Sequence, residues 1–314
     1  MLPRTLRTLS RTGGRIITVG AMAEAQTTFL RATPALPGMV AATVGYHATG
    51  RRPDVHRGLP SPYLTFILSL DEPITTGHSP EHLDSPAAHR NDVLVAGLHT
   101  APAYVHQPAH EAGVQLAVHP LAARQLFGVP ARELDLLTIE GADLLGPGVN
   151  RLRERLLEEP SWHRRFSLLA TYLRERAVAA APSGGPGGRA QVRPELIEAW
   201  RWLARRRGSG TVSALAEHVA LSPRQLRTLF AHELGLGPKG LGRLMRFQHA
   251  SGQIAAGVRT GHEQPLAQVA HQCGYFDQPH LVREFRDLAG VPPSGWLAEE
   301  RRNIQAGGHR NGPE

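Results

Sequence analysis

Two short segments carry side chains suited to reading the edges of base pairs. SPRQLRT, residues 222–228, offers Ser222, Arg224, Gln225, Arg227 and Thr228. QPHLVR, residues 278–283, offers Gln278, Pro279, His280 and Arg283. An arginine can bridge O6 and N7 of guanine, and a glutamine can bridge N6 and N7 of adenine. A histidine can donate to a base or to a phosphate. The competing explanation is a helical hairpin in an ordinary core, with its arginines merely solvated. The choice depends on the elements that present these residues.

Those elements form a repeat. Leu215-Ala216 through Ala220-Leu221 matches Val269-Ala270 through Gly274-Tyr275 at an offset of 54 residues. Beyond the turn the offset is 55, pairing Ser222 with Asp277, Leu226 with Leu281, Phe230 with Phe285, Gly235 with Gly290 and Pro238 with Pro293. One residue is therefore inserted in the second turn. Ser222 and Asp277 can cap a helix by accepting from its free N–H groups, and Pro223 suits a first turn, where no N–H is needed. Leu226 with Phe230, and Leu281 with Phe285, are i,i+4 pairs for a buried side. Gly235 and Gly290 fit helix stops. Each unit is predicted as a short helix, a tight turn and a longer capped helix, which is the helix-turn-helix layout. A long helix containing Leu241, Leu244, Met245 and Ala250 through Ile254 joins the two. Two joined units favour DNA binding over a generic bundle.

Residues 193–298, about a third of the chain, resemble the DNA-binding domain of AraC/XylS-type transcriptional regulators. The stretches LAEHVALSPRQLRTLF and VAHQCGYFDQPHLVREFRDLAGVPP carry the resemblance. It implies sequence-specific binding of double-stranded DNA by two recognition helices in one chain, held about 34 Å apart by a rigid linking helix. Arg283 falls where the family usually has an arginine. In the first unit the corresponding position is Thr228, with Arg227 one step earlier, so which of the two faces the groove is left open. Arg246 on the linking helix and the capped helix starts are candidates for phosphate contact. Arg243 is a lesser candidate, and Arg286 reads as a surface pair with Asp287. The resemblance further implies a small-molecule effector or dimer contacts at the N-terminal domain, with RNA polymerase as a partner if the protein is an activator; a cytoplasmic location, no cofactor and no enzymatic activity are also expected.

The first half reads differently. YLTFILSL, residues 63–70, puts Leu64, Phe66, Leu68 and Leu70 on one face and Thr65 and Ser69 on the other, the period of a half-buried strand. MVAATVGYHA, DVLVAGLHT and GVQLAVHP are further strands, separated by Pro and Gly clusters. From about residue 120 the apolar spacing becomes helical, through HPLAARQLFGVP, GADLLGPGVNRLRERLLEE and SWHRRFSLLATYLRERAVA, the last capped by Ser161. The expected fold class is α+β: an N-terminal β-rich, barrel-like (cupin-like) domain with helices, then an all-α domain of two helix-turn-helix units. HRGLPSPYLTFILSL resembles the β-rich N-terminal domains of an actinobacterial subgroup of the same regulators. The expected boundaries are a disordered or non-native extension over 1–25, with Met22 the favoured initiator, the sensor or dimerisation domain over 26–180, a flexible linker over 181–191, the DNA-binding domain over 192–300 and a frayed tail over 301–314.

Composition narrows the alternatives. The net charge is +8, but Lys239 is the only lysine, and arginine-rich, lysine-poor usage follows from GC-rich coding as readily as from binding. The position of the arginines therefore matters more than their number. Cys273 is the only cysteine, so an internal disulfide is impossible and a cysteine-based zinc cluster is excluded. No run of about 18 apolar residues is present to span a membrane. The N-terminal half is rich in histidine, yet it lacks the His-x-His pattern followed by Glu of a metal-binding cupin. Nucleophile-elbow, phosphate-loop and His-Glu-x-x-His motifs are also absent. A cupin-like barrel enzyme carrying an accessory DNA-binding domain is the alternative function. A pocket in the first domain would draw on Tyr46, Arg57, Phe66 and His99.

Overall fold

A computed structural model describes residues 26–180 and 192–305. The expected extension over 1–25 and linker over 181–191 lie outside the described residues, as does the chain beyond 305.

The predicted strand is β4 in the order β1 (Gln26–Ala32), β2 (Val40–Thr49), β3 (Asp54–Gly58) and β4 (Leu64–Ser69). Its Leu64, Phe66 and Leu68 are fully buried, whereas Thr65 and Ile67 are half-buried. The remaining strands are β5 (Ile74–Gly77), β6 (His89–Asn91), β7 (Val93–Ala96), β8 (Ala103–Gln107), β9 (Glu111–Val118) and β10 (Ile139–Glu140). They form two antiparallel sheets, one ordered β1-β2-β9-β4-β7-β10 and the other β3-β8-β5-β6. The sheets do not close into a barrel. Closure needs edge strands long enough to continue the ladder, and β10 has two residues and β6 three.

Helices cover this β-rich part. The segment expected to be helical over 119–130 is a 3-10 turn over Pro120–Ala122 running into α1 (Ala123–Leu126), and it stops there because Gly128 turns to positive φ and Pro130 follows. Next come α2 (Gly141–Leu145), α3 (Gly148–Glu158) and α4 (Trp162–Ala179), with the Ser161 hydroxyl accepting from the Arg164 N–H as expected. The C-terminal part is entirely helical: α5 (Pro194–Arg205), α6 (Val212–His218), α7 (Pro223–Leu234), α8 (Pro238–Thr260), α9 (Leu266–Gln272), α10 (Gln278–Ala289) and α11 (Pro293–Gln305). The last helix corrects the tail expected from residue 301. It runs to 305 because Ile304 is fully buried.

The apolar core has two parts. One joins Phe66 and Leu116 of the sheet and Leu169 of α4 to Trp200 of α5 and to Leu226 and Phe230 of α7. The other belongs to the second unit and packs Phe247, Leu281, Phe285 and Trp296. The first unit therefore shares its interior with the N-terminal domain, while the second packs on α8 and α11.

Candidate nucleic-acid interface

The two units repeat in structure as in sequence. Helix α6, a turn and α7 make the first; α9, a turn and α10 make the second. Both turns need one residue in the left-handed region, Ala220 at φ 53° and Gly274 at φ 75°. Glycine suits the second better than alanine, since a Cβ there would lie 2.7 Å from the Ser209 hydroxyl, which would have to turn away. The Ser222 hydroxyl accepts from the Gln225 N–H at 3.2 Å, and the Gln225 side chain accepts in return from the Ser222 N–H at 2.9 Å, forming a capping box. Asp277 accepts from the His280 N–H at 2.7 Å. Gly235 and Gly290 end α7 and α10 with φ of 74°. Leu226, Phe230, Leu281 and Phe285 are fully buried and fix which face of each helix points outward.

That outward face holds most of the expected residues. Ser222, Arg224, Gln225, Arg227 and Thr228 are all exposed on α7 and its cap. The Gln225 carbonyl is occupied by the capping box, which leaves its amide N–H groups for an acceptor. Thr228 donates to the Arg224 carbonyl at 3.1 Å, so its hydroxyl proton is engaged as well. On the second unit Gln278 and Arg283 are exposed, while His280 is half-buried with its ring edge-on to Tyr275. The His280 Nδ1 faces the Phe276 N–H at 3.4 Å. Its ring thus braces the turn.

Three arginines sit differently from expectation. Arg246, assigned above to phosphate, is largely buried and donates to the Glu284 carboxylate at 3.0 Å, with its guanidinium over the Tyr275 ring. Arg243 donates to Glu284 at 3.1 Å and to Asp287 at 2.7 Å. Asp287 therefore pairs with Arg243, not with Arg286. The Tyr275 hydroxyl also donates to Glu284, at 3.0 Å. This carboxylate, 6% exposed, is the hub that fixes α10 against α8. Sequence reasoning passed over Glu284, although its spacing from Leu281, Phe285 and Leu288 puts it on the apolar stripe. A charge on such a stripe signals a buried partner. Cys273 is buried, and burial pushes its thiol up to about 11, which makes it inert.

The N-terminal domain grips both units. Arg124 makes a two-pronged pair with Glu233 near the end of α7, both bonds at 2.9 Å. Arg57 makes another with Glu299 of α11, at 2.8 and 3.1 Å, and also donates to the Ala289 carbonyl at the end of α10. His56 meets Glu300 at 2.8 Å. Burial opposes protonation of this ring, but the Glu300 carboxylate prevails and raises its pKa. Of the four residues considered for a pocket, Arg57 is thus an interdomain tie and Phe66 is core. Tyr46 lies over Gly113, and His99 bonds the Ala101 carbonyl. None of the four lines the cleft found between the domains.

That cleft, about 1080 Å³ in volume, lies between β1, β2 and the loop around Tyr63 on one side and α5 and α8 on the other. Its lining includes Arg31, Arg207, Arg259, His119 and His249, and no aspartate or glutamate. His119 stacks near Trp200, with ring centres 4.3 Å apart, and burial pushes its pKa down to about 4. Among the described residues no helix is long and apolar enough to cross a membrane.

Residues 215–299 match the family described as a helix-turn-helix domain. No curated protein sequence matches the chain. Among solved structures, ToxT from Vibrio cholerae with an unsaturated fatty acid bound is 12% identical, with a TM-score of 0.46 over 88% of this chain and 98% of that one. The C-terminal domain of AraT, a response regulator from Geobacillus stearothermophilus, is 23% identical, with a TM-score of 0.31 over 36% of this chain and 88% of that one. Both are distant likenesses. The C-terminal region is a helix-turn-helix DNA-binding domain. Its paired units on one connecting helix are of the AraC/XylS type.

Proposed function

We propose that the chain is a sequence-specific transcription regulator whose α7 and α10 enter successive major grooves on one face of DNA. A small anionic effector, held in the cleft between the N-terminal sheets and α8, would change how the two helices are presented. The observation that supports DNA reading is the duplicated unit itself. Each copy buries its apolar stripe and turns outward a face bearing arginine and amide side chains, with α8 rigidly between. On this reading Arg224, Arg227, Gln278 and Arg283 contact bases, and Ser222, Asp277 and His280 shape the helix starts. Arg246 positions α10 through Glu284 and leaves phosphate contact to exposed groups.

The effector part rests on the lining of the cleft, where three arginines stand with no acidic side chain, beside two histidine rings whose pKa burial lowers. Its wall includes α8, the element that sets the spacing of the recognition helices. Binding-site selection from random DNA with the full-length protein, at fixed salt, tests the regulator. The expected motif is two short boxes one helical turn apart; weak, salt-sensitive binding without a motif would refute it. Thermal shifts against anionic metabolites test the effector, since a ligand at a hundred times its Kd stabilises the fold by about 2.7 kcal/mol. No shift with any anion, or equal shifts with neutral analogues, would count against it.

A further inference from the structure

We infer that Phe276 reads a thymine methyl group at the second recognition helix, an apolar contact with no counterpart in the first unit. This rests on the DNA-binding function proposed above. Phe276 is 93% exposed, more than any other exposed large hydrophobic residue among those described; Val178 follows at 74%. The others, Val55, Leu136, Leu157 and Val178, lie outside the two helix-turn-helix units.

Its place in the repeat is the second observation. Leu221 in the first turn corresponds to Tyr275, and Ser222 to Asp277, so Phe276 is the inserted residue. In the first unit the half-buried Leu221 runs straight into the cap. In the second, an aromatic ring is added between the buried Tyr275 and the cap Asp277. The turn is well fixed around it. Asp277 caps His280, and the His280 ring takes the Phe276 N–H and packs edge-on to Tyr275. The phenyl group therefore projects from a braced backbone beside Gln278 at the start of α10.

The surroundings favour DNA over a protein partner. Gly274, Asp277 and Gln278 beside it are exposed and form no apolar patch. A single ring among polar residues is too small to anchor a protein interface. In a major groove, by contrast, the thymine 5-methyl is the one apolar feature of a base edge, and phenylalanine is a recognised partner for it.

The test uses the full-length protein and the site it selects from random DNA. Each thymine of the box read by α10 is replaced in turn by deoxyuridine, which lacks only the methyl. The wild type should lose about fourfold in affinity at one thymine, the worth of one buried methyl. Phe276→Ala should bind the intact site about tenfold more weakly and show no further loss at that deoxyuridine. Phe276→Ala should also keep the wild-type Tm, since the ring is exposed. A selected motif with no thymine at which the two proteins differ would overturn the assignment while leaving the DNA-reading function standing. A uniform loss in Phe276→Ala across all substituted sites would also overturn it, and would place the ring on the sugar–phosphate backbone. Failure of the wild type to select any motif would remove both the function and this contact.

Discussion

Replacing Glu284 by glutamine should loosen the second unit without touching the DNA-reading face. The carboxylate is 6% exposed and is met by Arg246, Arg243 and the Tyr275 hydroxyl at 3.0 to 3.1 Å. Hydrogen bonds to a charged group contribute about 1.5–3 kcal/mol and neutral ones about 0.5–1.5, so each contact loses about 1 kcal/mol when the charge goes. Arg243 is about a third exposed and can turn to water, so its share is discounted. The expected cost is about 2–3 kcal/mol, just under the range for breaking a buried pair outright. For a domain of this size that lowers Tm by several degrees. Because the second unit has its own core, the loss should appear in hydrogen exchange of α10 and α8, and not in β4 or β9. Calorimetry with exchange mass spectrometry would measure both. A change below 1 °C, with α10 protection unaltered, would refute the role given to Glu284.

Other substitutions separate reading from support. Arg283→Ala should keep the wild-type Tm, weaken binding by about 1–3 kcal/mol and relax preference at one position of the selected site; an equal loss on every sequence would make it a phosphate contact. Arg246→Ala should instead lower Tm by leaving Glu284 short of a partner, visible in calorimetry without DNA. Gly274→Ala should destabilise by about 1–2 kcal/mol in thermal unfolding, because its φ of 75° strains any other residue and the new Cβ would press on Ser209. Acid should weaken the fold through His119. Its folded pKa, about 4, lies below the unfolded value, so the stabilisation is complete above about pH 6.5 and is lost as pH falls toward 4. At pH 5 the loss is about 1–2 kcal/mol, allowing for the part of the ring open to water, and His119→Phe should flatten this portion of the pH–stability curve.

Much of the DNA-binding region was legible because local rules and tertiary packing agree there. Ser222 and Asp277 cap, Gly235 and Gly290 stop, and Leu226, Phe230, Leu281 and Phe285 are buried, as their spacing demands. The alternation in YLTFILSL likewise located β4. What could not be read lies in long-range pairing. Arg246 is an arginine on a helix in sequence and looks free to meet phosphate; only the approach of α10 gives it Glu284. Asp287 has Arg286 beside it in the chain and Arg243 across the interface, and the cross-helix partner wins because adjacent helix residues point apart. Closure of a barrel depends on strand lengths, and two- and three-residue strands such as β10 and β6 leave almost no periodic signal. The cleft is assembled from Arg31, Arg207 and Arg259, which are more than two hundred residues apart at the extremes. No spacing rule connects them.

On the proposed function, one chain reads two successive major grooves with α7 and α10 held at a fixed separation by α8. Affinity for the selected site with base pairs inserted between its two boxes tests this directly. Five added base pairs, about half a turn, should place the boxes on opposite faces and reduce binding to that of a single box, whereas ten should restore the face but not the distance. Affinity unchanged by the half-turn insertion would contradict the account, because two rigidly joined helices cannot follow it.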